Sequence, residues 1–242
     1  MTDRPLVVDL HHHIVYGVDD GPQTMKDSQD MLLCAVDEGV DIVCATSHCM
    51  PGFEPYDYNK YIARLQEEAD WCYQKNLPIR LLAGSEIMYS DSVPDLLRNG
   101  EIPTLNGTRY VLVEFFPGDT WERVEGGIRS VGNAGFNVVL AHCERYECLR
   151  TEDRLAFLKE RYHIMAQMNC ATVLEKKGLF GDRWVKNVLR DGTIDLVSSD
   201  SHGVHTRRCR MKECHAKLEK DLGKARADVM CGSLAAKILN IG

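Results

Sequence analysis

Short apolar runs alternate with longer amphipathic segments along most of the chain. The runs are brief, and several are rich in Val, Ile and Leu, which is typical of parallel strands buried on both faces. We predict seven strands from them, at residues 6–10, 41–46, 79–83, 110–115, 137–141, 164–169 and 194–199.

Amphipathic patterns predict helices between these strands. Thr24 and Asp27 have the spacing of a capping box, and Gly39 is placed as a C-cap, so the first helix is predicted over about 24–38. The other predicted helices cover residues 57–75, 91–98, 122–134, 152–162, 182–190 and 208–222, with one more near the C-terminus.

Strands that alternate with helices predict an α/β fold whose parallel sheet is closed, or nearly closed, into a barrel. The chain has no sequence repeat, low-complexity tract or linker, so we expect a single domain over residues 1–242. A doubly wound open sheet is the alternative. Such a sheet normally has a Gly-rich first turn that binds phosphate, whereas the turn after the first strand here is rich in histidine.

Composition narrows the function. The net charge of −7 argues against a nucleic-acid partner, because such a protein needs a basic surface. No apolar run approaches the length of a membrane span, and the N-terminus does not resemble a signal peptide. We therefore expect a cytoplasmic protein that does not insert into membranes. The ten cysteines include no CxxC pair, and we expect reduced thiols rather than a disulfide framework.

Histidines and carboxylates follow six of the seven predicted strands. In a parallel β/α barrel these strand ends meet at one face, which holds the active site. His11 and His13 are two residues apart, so on an extended segment both side chains point to the same side and His12 points away. The candidate metal ligands are His11, His13, Asp20, His48, Glu86, Glu114, His142, Asp200 and His202.

This set of side chains predicts a multinuclear metal site. Imidazole and carboxylate groups together favour Zn, Mn or Fe over Ca. A tetrahedral zinc takes four ligands, so nine candidates suggest two or three metals with a bridging carboxylate. Each residue alone has a simpler explanation as a polar side chain at a strand end, but burying so many ionisable groups together without a metal would be costly.

Neighbouring metals suit phosphoryl transfer, because they lower the pKa of a bridging water and clamp the attacking and leaving oxygens. Arginine matches the geometry of the phosphate oxygens best. Arg145 follows His142 by three residues, and Arg207 and Arg208 follow His202 by five and six.

Several motifs together resemble the bacterial tyrosine-protein phosphatases of the CpsB/CapC type, within the polymerase-and-histidinol-phosphatase (PHP) superfamily. An HxH motif alone would match many amidohydrolase-like enzymes, whereas DDGP, IPTLN and AHCERY together are more selective. The motifs run in order from about residue 8 to about residue 208, as DLHHHI with DDGP, ATSH, AGSEI, IPTLNGTRYVLVEF, AHCERY, LFGDR and SSDSH.

The resemblance implies a distorted seven-stranded (β/α)7 barrel of the PHP type. It also implies a hydrolase for phosphotyrosine on a partner protein, a bacterial tyrosine autokinase that controls capsule or exopolysaccharide export. The implied metals are manganese, with iron or zinc as alternatives. The implied ligand sets are His11, His13, Glu86 and Asp200 for one metal, Glu86, Glu114 and His142 for a second, and Asp20, His48 and His202 for a third.

By the same resemblance, Arg145 and Arg207 would bind the phosphate, and the sequence leaves Arg208 as the alternative to Arg207. Cys143 lies beside a predicted ligand, which is unusual for the family and predicts sensitivity to oxidation.

Three other functions compete with this one. A small-molecule phosphatase of the same superfamily, such as a histidinol-phosphatase, would share the metals and differ in the pocket walls. A scaffold could bind the kinase without hydrolysing anything. Finally, Cys148 and Arg154 fit the C-x5-R loop of cysteine phosphatases, but Glu152 and Asp153 in that loop would repel phosphate.

Overall fold

The computed structural model describes residues 4–150, 153–175 and 182–241. Two sequence features fall partly outside these ranges: the start of the helix predicted from residue 152, and the LFGDR motif at 179–183. The described residues contain nine strands: β1 (Val8–His12), β2 (Ile42–Ala45), β3 (His48–Cys49), β4 (Arg80–Ala83), β5 (Glu86–Met88), β6 (Tyr110–Glu114), β7 (Asn137–Leu140), β8 (Met165–Asn169) and β9 (Leu196–Ser198).

The strand count differs from the seven predicted because two short strands, β3 and β5, follow β2 and β4. Regular strand structure stops for two residues before each of them. Gly84, between β4 and β5, packs against the end of β2 and the residue after it, since a Cβ at Gly84 would lie 2.8 Å from Cys44 Sγ and 3.3 Å from Thr46 Cγ2. A larger residue at position 84 would therefore push the two interrupted segments apart.

All strand pairs are parallel. The order is β1-β2-β4 in one sheet and β3-β5-β6-β7-β8-β9 in the other. Beyond the end of β9 the backbone returns to β1, where Asp200 N donates to His11 O at 2.9 Å and His13 N donates to Ser201 O at 3.0 Å. The fold is thus α/β with a strongly curled parallel sheet.

Ten α-helices connect the strands or follow them in the described residues. Most agree with the predicted helices, and the capping box at Thr24 and Asp27 is confirmed, with each side chain accepting the other residue's backbone N–H. The helices are α1 (Met25–Asp37), α2 (Tyr58–Gln74), α3 (Val93–Arg98), α4 (Trp121–Asn133), α5 (Arg154–Tyr162), α6 (Cys170–Leu174), α7 (Arg183–Asp191), α8 (Met211–Leu222), α9 (Lys224–Asp228) and α10 (Leu234–Ile238).

Two groups of buried apolar residues pack on opposite faces of the curled sheet. The larger one lies between the sheet and the surrounding helices. The smaller one, which we call the inner apolar cluster, fills the inside of the curl together with the C-terminal segment. Its members are Val8, Leu10, Ile42, Cys44, Leu82, Leu105, Leu112, Val139, Ala141, Leu196, Ala235, Ala236, Ile238 and Leu239.

The C-terminal segment reaches this cluster through a π-helical turn, Val229–Ser233. Gly232 in that turn approaches the chain just before β1 so closely that a Cβ would lie 1.8 Å from Leu6 O. Only glycine allows this approach of two backbones. Within the part of the chain that the structure describes, no helix has the length and apolar character needed to cross a membrane.

Candidate metal centre

A bulge in β1 directs two histidines to the same side. Asp9 pairs with Val43 and His12 pairs with Ala45, so β1 uses one more residue than β2 over this stretch. Bulges re-aim side chains in this way. His11 and His13 then face each other with their Nε2 atoms 3.2 Å apart. His12 is also buried, but it belongs to none of the groups of potential metal ligands among the described residues.

The first group of ligands combines β1 with β5 and the segment after β9. Glu86 Oε2 lies 3.1 Å from the Nε2 atoms of both His11 and His13. Asp200 Oδ1 lies 3.3 Å from His11 Nε2. All four side chains are buried, and one ligand atom from each lies within 4.8 Å of all the others.

Glu86 connects this group to a second one. Its Oε1 atom lies 2.7 Å from His142 Nε2, just after β7. Glu114, at the end of β6, places Oε2 3.5 Å from His142 Nε2 and Oε1 3.0 Å from His48 Nδ1. Glu86 is therefore placed between two sets of potential ligands, as a bridging carboxylate would be.

The third group lies nearest to solvent. Asp20 Oδ1 is 3.4 Å from His48 Nε2 and 3.1 Å from His202 Nε2, and His13 completes the group. The Asp20 side chain is 61% exposed, whereas the Glu86 side chain is 1% exposed. The nine candidate ligands thus come together at the carboxyl ends of the strands. Their side chains range from fully buried to largely exposed.

Electrostatics keep the carboxylates of Glu86 and Asp200 ionised. Burial raises the pKa of Glu86, but attraction to His11 and the neighbouring imidazoles outweighs it and holds the pKa well below the ordinary value. Asp200 has a lowered pKa for the same reason. Burial lowers the pKa of His142, and the carboxylates of Glu114 and Glu86 overcome this and raise it to about 9. As a consequence, Glu86 and Asp200 present negatively charged oxygens in the cluster.

The geometry fits divalent metals. Within the described part of the chain, several buried site atoms make no well-directed hydrogen bond, namely Glu86 Oε2, Glu114 Oε1, His48 Nδ1 and His202 Nε2. Such unpaired buried atoms normally cost free energy. Ligands about 2.1 Å from one ion lie about 3.0–3.4 Å apart in octahedral or tetrahedral coordination, and Glu86 Oε2 lies 3.1 Å from the Nε2 atoms of His11 and His13. Mixed nitrogen and oxygen donors suit Mn, Fe or Zn.

Other side chains hold the candidate ligands in place, and the sequence argument did not assign them a role. His13 Nδ1 lies 2.8 Å from Asp19 Oδ2, which also accepts a hydrogen bond from His48 N. Gln167 Oε1 lies 3.2 Å from His11 Nδ1 and accepts a hydrogen bond from His142 N at 2.7 Å. Partners of this kind orient a ligating ring and fix its tautomer.

The sixth predicted strand, now β8, supplies these amides. It is the predicted strand with no histidine or carboxylate at its end. Gln167 and Asn169 nevertheless alternate onto the site face, and Asn169 Nδ2 donates to Asp200 Oδ2 at 2.7 Å. The period-two spacing of two amides on a buried strand was the available signal.

Two arginines border the cluster. Arg145 donates to Asp200 Oδ2 at 2.7 Å, and Arg207 donates to both Asp200 oxygens at 2.9 and 3.0 Å. Their side chains are about 40% exposed, so their remaining N–H groups can reach a ligand. Arg208 is exposed. The geometry thus favours Arg207 over Arg208.

Three of the seven non-glycine residues with positive φ among the described residues lie at this site. His142, Asp200 and Arg207 have positive φ angles of 29°, 52° and 50°. Non-glycine residues rarely adopt this region, and such conformations cluster at functional sites.

The cysteines are poorly suited to chemistry. Cys143 is buried, and burial raises its pKa well above the ordinary value, which argues against the sensitivity to oxidation expected from its position. Burial also raises the pKa of Cys148, and Arg154 stacks over Trp121. Both observations argue against a cysteine phosphatase loop, of which residues 151–152 lie outside the described ranges.

The arrangement has close relatives among known proteins. The tyrosine-protein phosphatase CpsB of Streptococcus agalactiae is 30% identical over 247 residues, covering 96% of this chain and 98% of CpsB. The tyrosine-protein phosphatase YwqE of Bacillus subtilis is 30% identical over 227 residues, covering 90% of this chain and 85% of YwqE.

A solved structure shares the fold. It is a chain from the crystal structures of YwqE from Bacillus subtilis and CpsB from Streptococcus pneumoniae, unique metal-dependent tyrosine phosphatases. The match has a TM-score of 0.84 and 26% sequence identity, and it covers 96% of this chain and 94% of the solved chain. Residues 7–240 match the family "Capsular polysaccharide synthesis, CpsB/CapC". The resemblance seen in the motifs is confirmed, and the chain belongs to the CpsB/CapC family.

Proposed function

We propose that this protein is a metal-dependent protein-tyrosine phosphatase that hydrolyses phosphotyrosine. The observation that carries the proposal is the convergence of nine histidine and carboxylate side chains, bordered by two arginines, at one end of the curled sheet. The relatives at 30% identity are named tyrosine-protein phosphatases. The physiological substrate in this proposal is a tyrosine autokinase of capsule or exopolysaccharide biosynthesis, and the enzyme acts in the cytoplasm.

The proposal includes the architecture that carries the site. We interpret β2 with β3, and β4 with β5, as two interrupted strands, so that the curled sheet is a distorted seven-stranded PHP-type barrel. The hydrogen bonds between β1 and the segment after β9 support closure at that seam. The whole chain, residues 1–242, would form one phosphatase domain.

Three divalent ions, manganese in this proposal, would occupy the three groups of ligands. His11, His13, Glu86 and Asp200 would hold the first. Glu86 would also serve the second, together with Glu114 and His142. Asp20, His48 and His202 would hold the third. When bound, such ions supply Lewis acidity, which lowers the pKa of water towards neutrality and neutralises phosphate charge.

Side chains of the protein orient the candidate ligands and bind the phosphate. Asp19 and Gln167 accept from the outer nitrogens of His13 and His11, so that each ring keeps its Nε2 lone pair directed into the cluster. Arg145 and Arg207 would turn N–H groups towards the non-bridging phosphate oxygens while Asp200 keeps both guanidinium groups at the mouth. Tyrosine is itself a favourable leaving group, because its phenol has a pKa of about 10.

Hydrolysis of matched substrates tests the proposal. We expect the manganese-loaded protein to hydrolyse a phosphotyrosyl peptide with a kcat/KM at least about a hundredfold above that for histidinol phosphate, since a pocket built for one phosphate ester discriminates by several kcal/mol. Chelation should abolish turnover, and vanadate should inhibit it. Preference for histidinol phosphate would favour the small-molecule phosphatase, and metal-loaded protein without activity on any aryl phosphate would favour the scaffold.

A further inference from the structure

Two exposed phenylalanines lie in the loops that follow the candidate ligands His48 and Glu114. Phe53 is 50% exposed and Phe116 is 41% exposed. Their rings form an edge-to-face pair, with centroids 5.6 Å apart and an interplanar angle of 80°. We call this pair the aromatic rim. Exposed apolar clusters are unfavourable in water, and they commonly mark a binding surface.

The loop after β3 carries the first ring. Phe53 follows the candidate ligand His48 by five residues, and its backbone N–H donates to Met50 O at 2.9 Å. Met50 also lines a cavity of about 670 Å³ together with His48 and Asp20. Phe53 thus belongs to the loop whose neighbouring residues Met50 and Glu54 line this cavity.

The loop after β6 carries the second ring. Phe116 follows the candidate ligand Glu114 by two residues. Its backbone N–H donates to Asp119 Oδ2 at 3.0 Å, and Glu147 N donates to Pro117 O at 3.1 Å. These two hydrogen bonds hold the backbone of the loop that carries Phe116.

The strand order separates the two rings from the two arginines. In the larger sheet, β3, β5 and β6 form one half, and β7, β8 and β9 form the other. Phe53 and Phe116 follow the first half, and they meet across β5, which carries Glu86. Arg145 and Arg207 follow the second half. The mouth therefore has an aromatic side and a cationic side, with the candidate metal ligands between them.

Phosphotyrosine has the same division, because a dianionic phosphate is attached to a flat apolar ring. We propose that Phe53 and Phe116 bind the tyrosyl ring of the substrate and thereby select aryl phosphomonoesters over alkyl ones. The inference rests on the proposed phosphatase function and assigns its substrate contacts. Aromatic pairs prefer edge-to-face or offset contacts, and the rim offers a ring face and a ring edge to a third ring.

Binding and turnover by rim variants test the inference. In Phe53→Ala and Phe116→Ala, we expect kcat/KM for a phosphotyrosyl peptide and for phenyl phosphate to fall about fivefold each, the change that corresponds to about 1 kcal/mol. The value for a phosphoseryl peptide of the same sequence should change less than about twofold. The Kd of a phosphonomethyl-phenylalanine peptide, which is not hydrolysed, should rise by the same factor as kcat/KM falls.

Phe157→Ala is the matched control, because Phe157 is 47% exposed and packs edge-on against Trp121, away from the metal ligands. It should leave all three substrates unaffected. Phe53→Tyr should retain the preference for aryl substrates. Equal losses for phosphotyrosyl and phosphoseryl peptides, losses confined to peptides, or an unchanged phosphonate Kd would overturn the inference. Wild-type protein that binds the phosphonate without hydrolysing any aryl phosphate would instead contradict the proposed function.

Discussion

The inner apolar cluster and the metal centre share the inside of the same curled sheet, yet they differ completely in character. On β6, Leu112 belongs to the apolar cluster and Glu114, two residues later, faces the candidate ligands. Likewise Leu196 is followed by Asp200 beyond β9. The apolar end consists of packed hydrophobic side chains, whereas at the other end several buried polar atoms of the described residues make no well-directed hydrogen bond. Stability and function are thus assigned to opposite ends of the same strands.

Two buried carboxylates show how surroundings decide this difference. Glu68 lies on α2 with Ser28 and the Tyr16 amide as its hydrogen-bond donors, and burial raises its pKa to about 8. Glu86 is equally buried, but the imidazoles around it hold its pKa well below the ordinary value. An isolated buried carboxyl group is neutral, while one among cationic groups stays charged and can bind metal.

Removal of a ligand should have the largest effect. His142→Ala takes away a nitrogen that lies 2.7 Å from Glu86 Oε1. We expect loss of bound metal and a fall of more than about a hundredfold in kcat, because even residues that only support a ligand contribute about 10–100-fold. Elemental analysis, kinetics and circular dichroism would show this in a folded protein. His163→Asn, at the left-handed C-cap of α5, is the control. Full metal content in His142→Ala would contradict the assignment.

Substitutions in the inner apolar cluster should lower the stability of the protein rather than its catalytic rate. Leu239→Ala removes a fully buried side chain from the inner apolar cluster, in the C-terminal segment whose Leu239 O accepts a hydrogen bond from Asn106 Nδ2 ahead of β6. We expect the free energy of unfolding to fall by about 2–5 kcal/mol, while kcat per folded molecule stays within about twofold of the wild type. Urea unfolding measures the first quantity. Leu33→Ala, at a 43% exposed position on α1, should change stability little. A large loss of kcat in folded Leu239→Ala would remove the distinction between the two ends.

An arginine at the mouth should affect phosphate but not metal. Arg145→Ala should lower kcat/KM by about 10–100-fold, since a hydrogen bond to a charged group contributes about 1.5–3 kcal/mol. Metal content should be unchanged. Arg208→Ala is the control, because Arg208 is exposed and adjacent to Arg207. Release of metal by Arg145→Ala without a kinetic change would show that the roles are wrong.

The pH dependence of stability sharpens the comparison of carboxylates. Between the ordinary Glu pKa of 4.5 and the raised value of about 8, folded protein holds the Glu68 proton and unfolded protein releases it. Rising pH therefore lowers the free energy of unfolding over this interval, by up to about 1.4 kcal/mol per pH unit. Glu68→Gln should remove this decrease.

The expected result is a stabilisation by Glu68→Gln that is small near pH 5 and grows towards pH 8. Unfolding curves at several pH values would measure it. Glu67→Gln, an exposed neighbour on α2, should not show the trend. A pH-independent difference between Glu68→Gln and the wild type would mean that Glu68 ionises normally in the folded protein.

The sequence predicted the regular parts of the fold because buried parallel strands and amphipathic helices have distinct periods. It missed β3 and β5, which have two and three residues and each begin with a candidate ligand, His48 and Glu86. Strands of two or three residues are too short to show a hydrophobic period. Helix α6 has five residues and was missed for the same reason.

The candidate ligands were accessible to prediction because they stand at strand ends, where the topology brings distant residues together. The side chains that hydrogen-bond to these ligands were harder to predict. Asp19 lies in the loop after β1, Gln167 and Asn169 are neutral amides, and each contributes through hydrogen bonds that form only in the folded chain. The aromatic rim likewise depends on two loops that meet only in the folded chain.

The most direct test of the central claim, that the nine converging side chains bind catalytic metals, combines metal content with turnover in one titration. The metal-free protein would be titrated with manganese while bound metal is measured by elemental analysis and phosphotyrosyl-peptide hydrolysis is followed in parallel. We predict three ions per chain, with activity that is absent without metal and rises as the sites fill. Hydrolysis that persists in the metal-free protein, or protein that binds no divalent ion, would contradict the account.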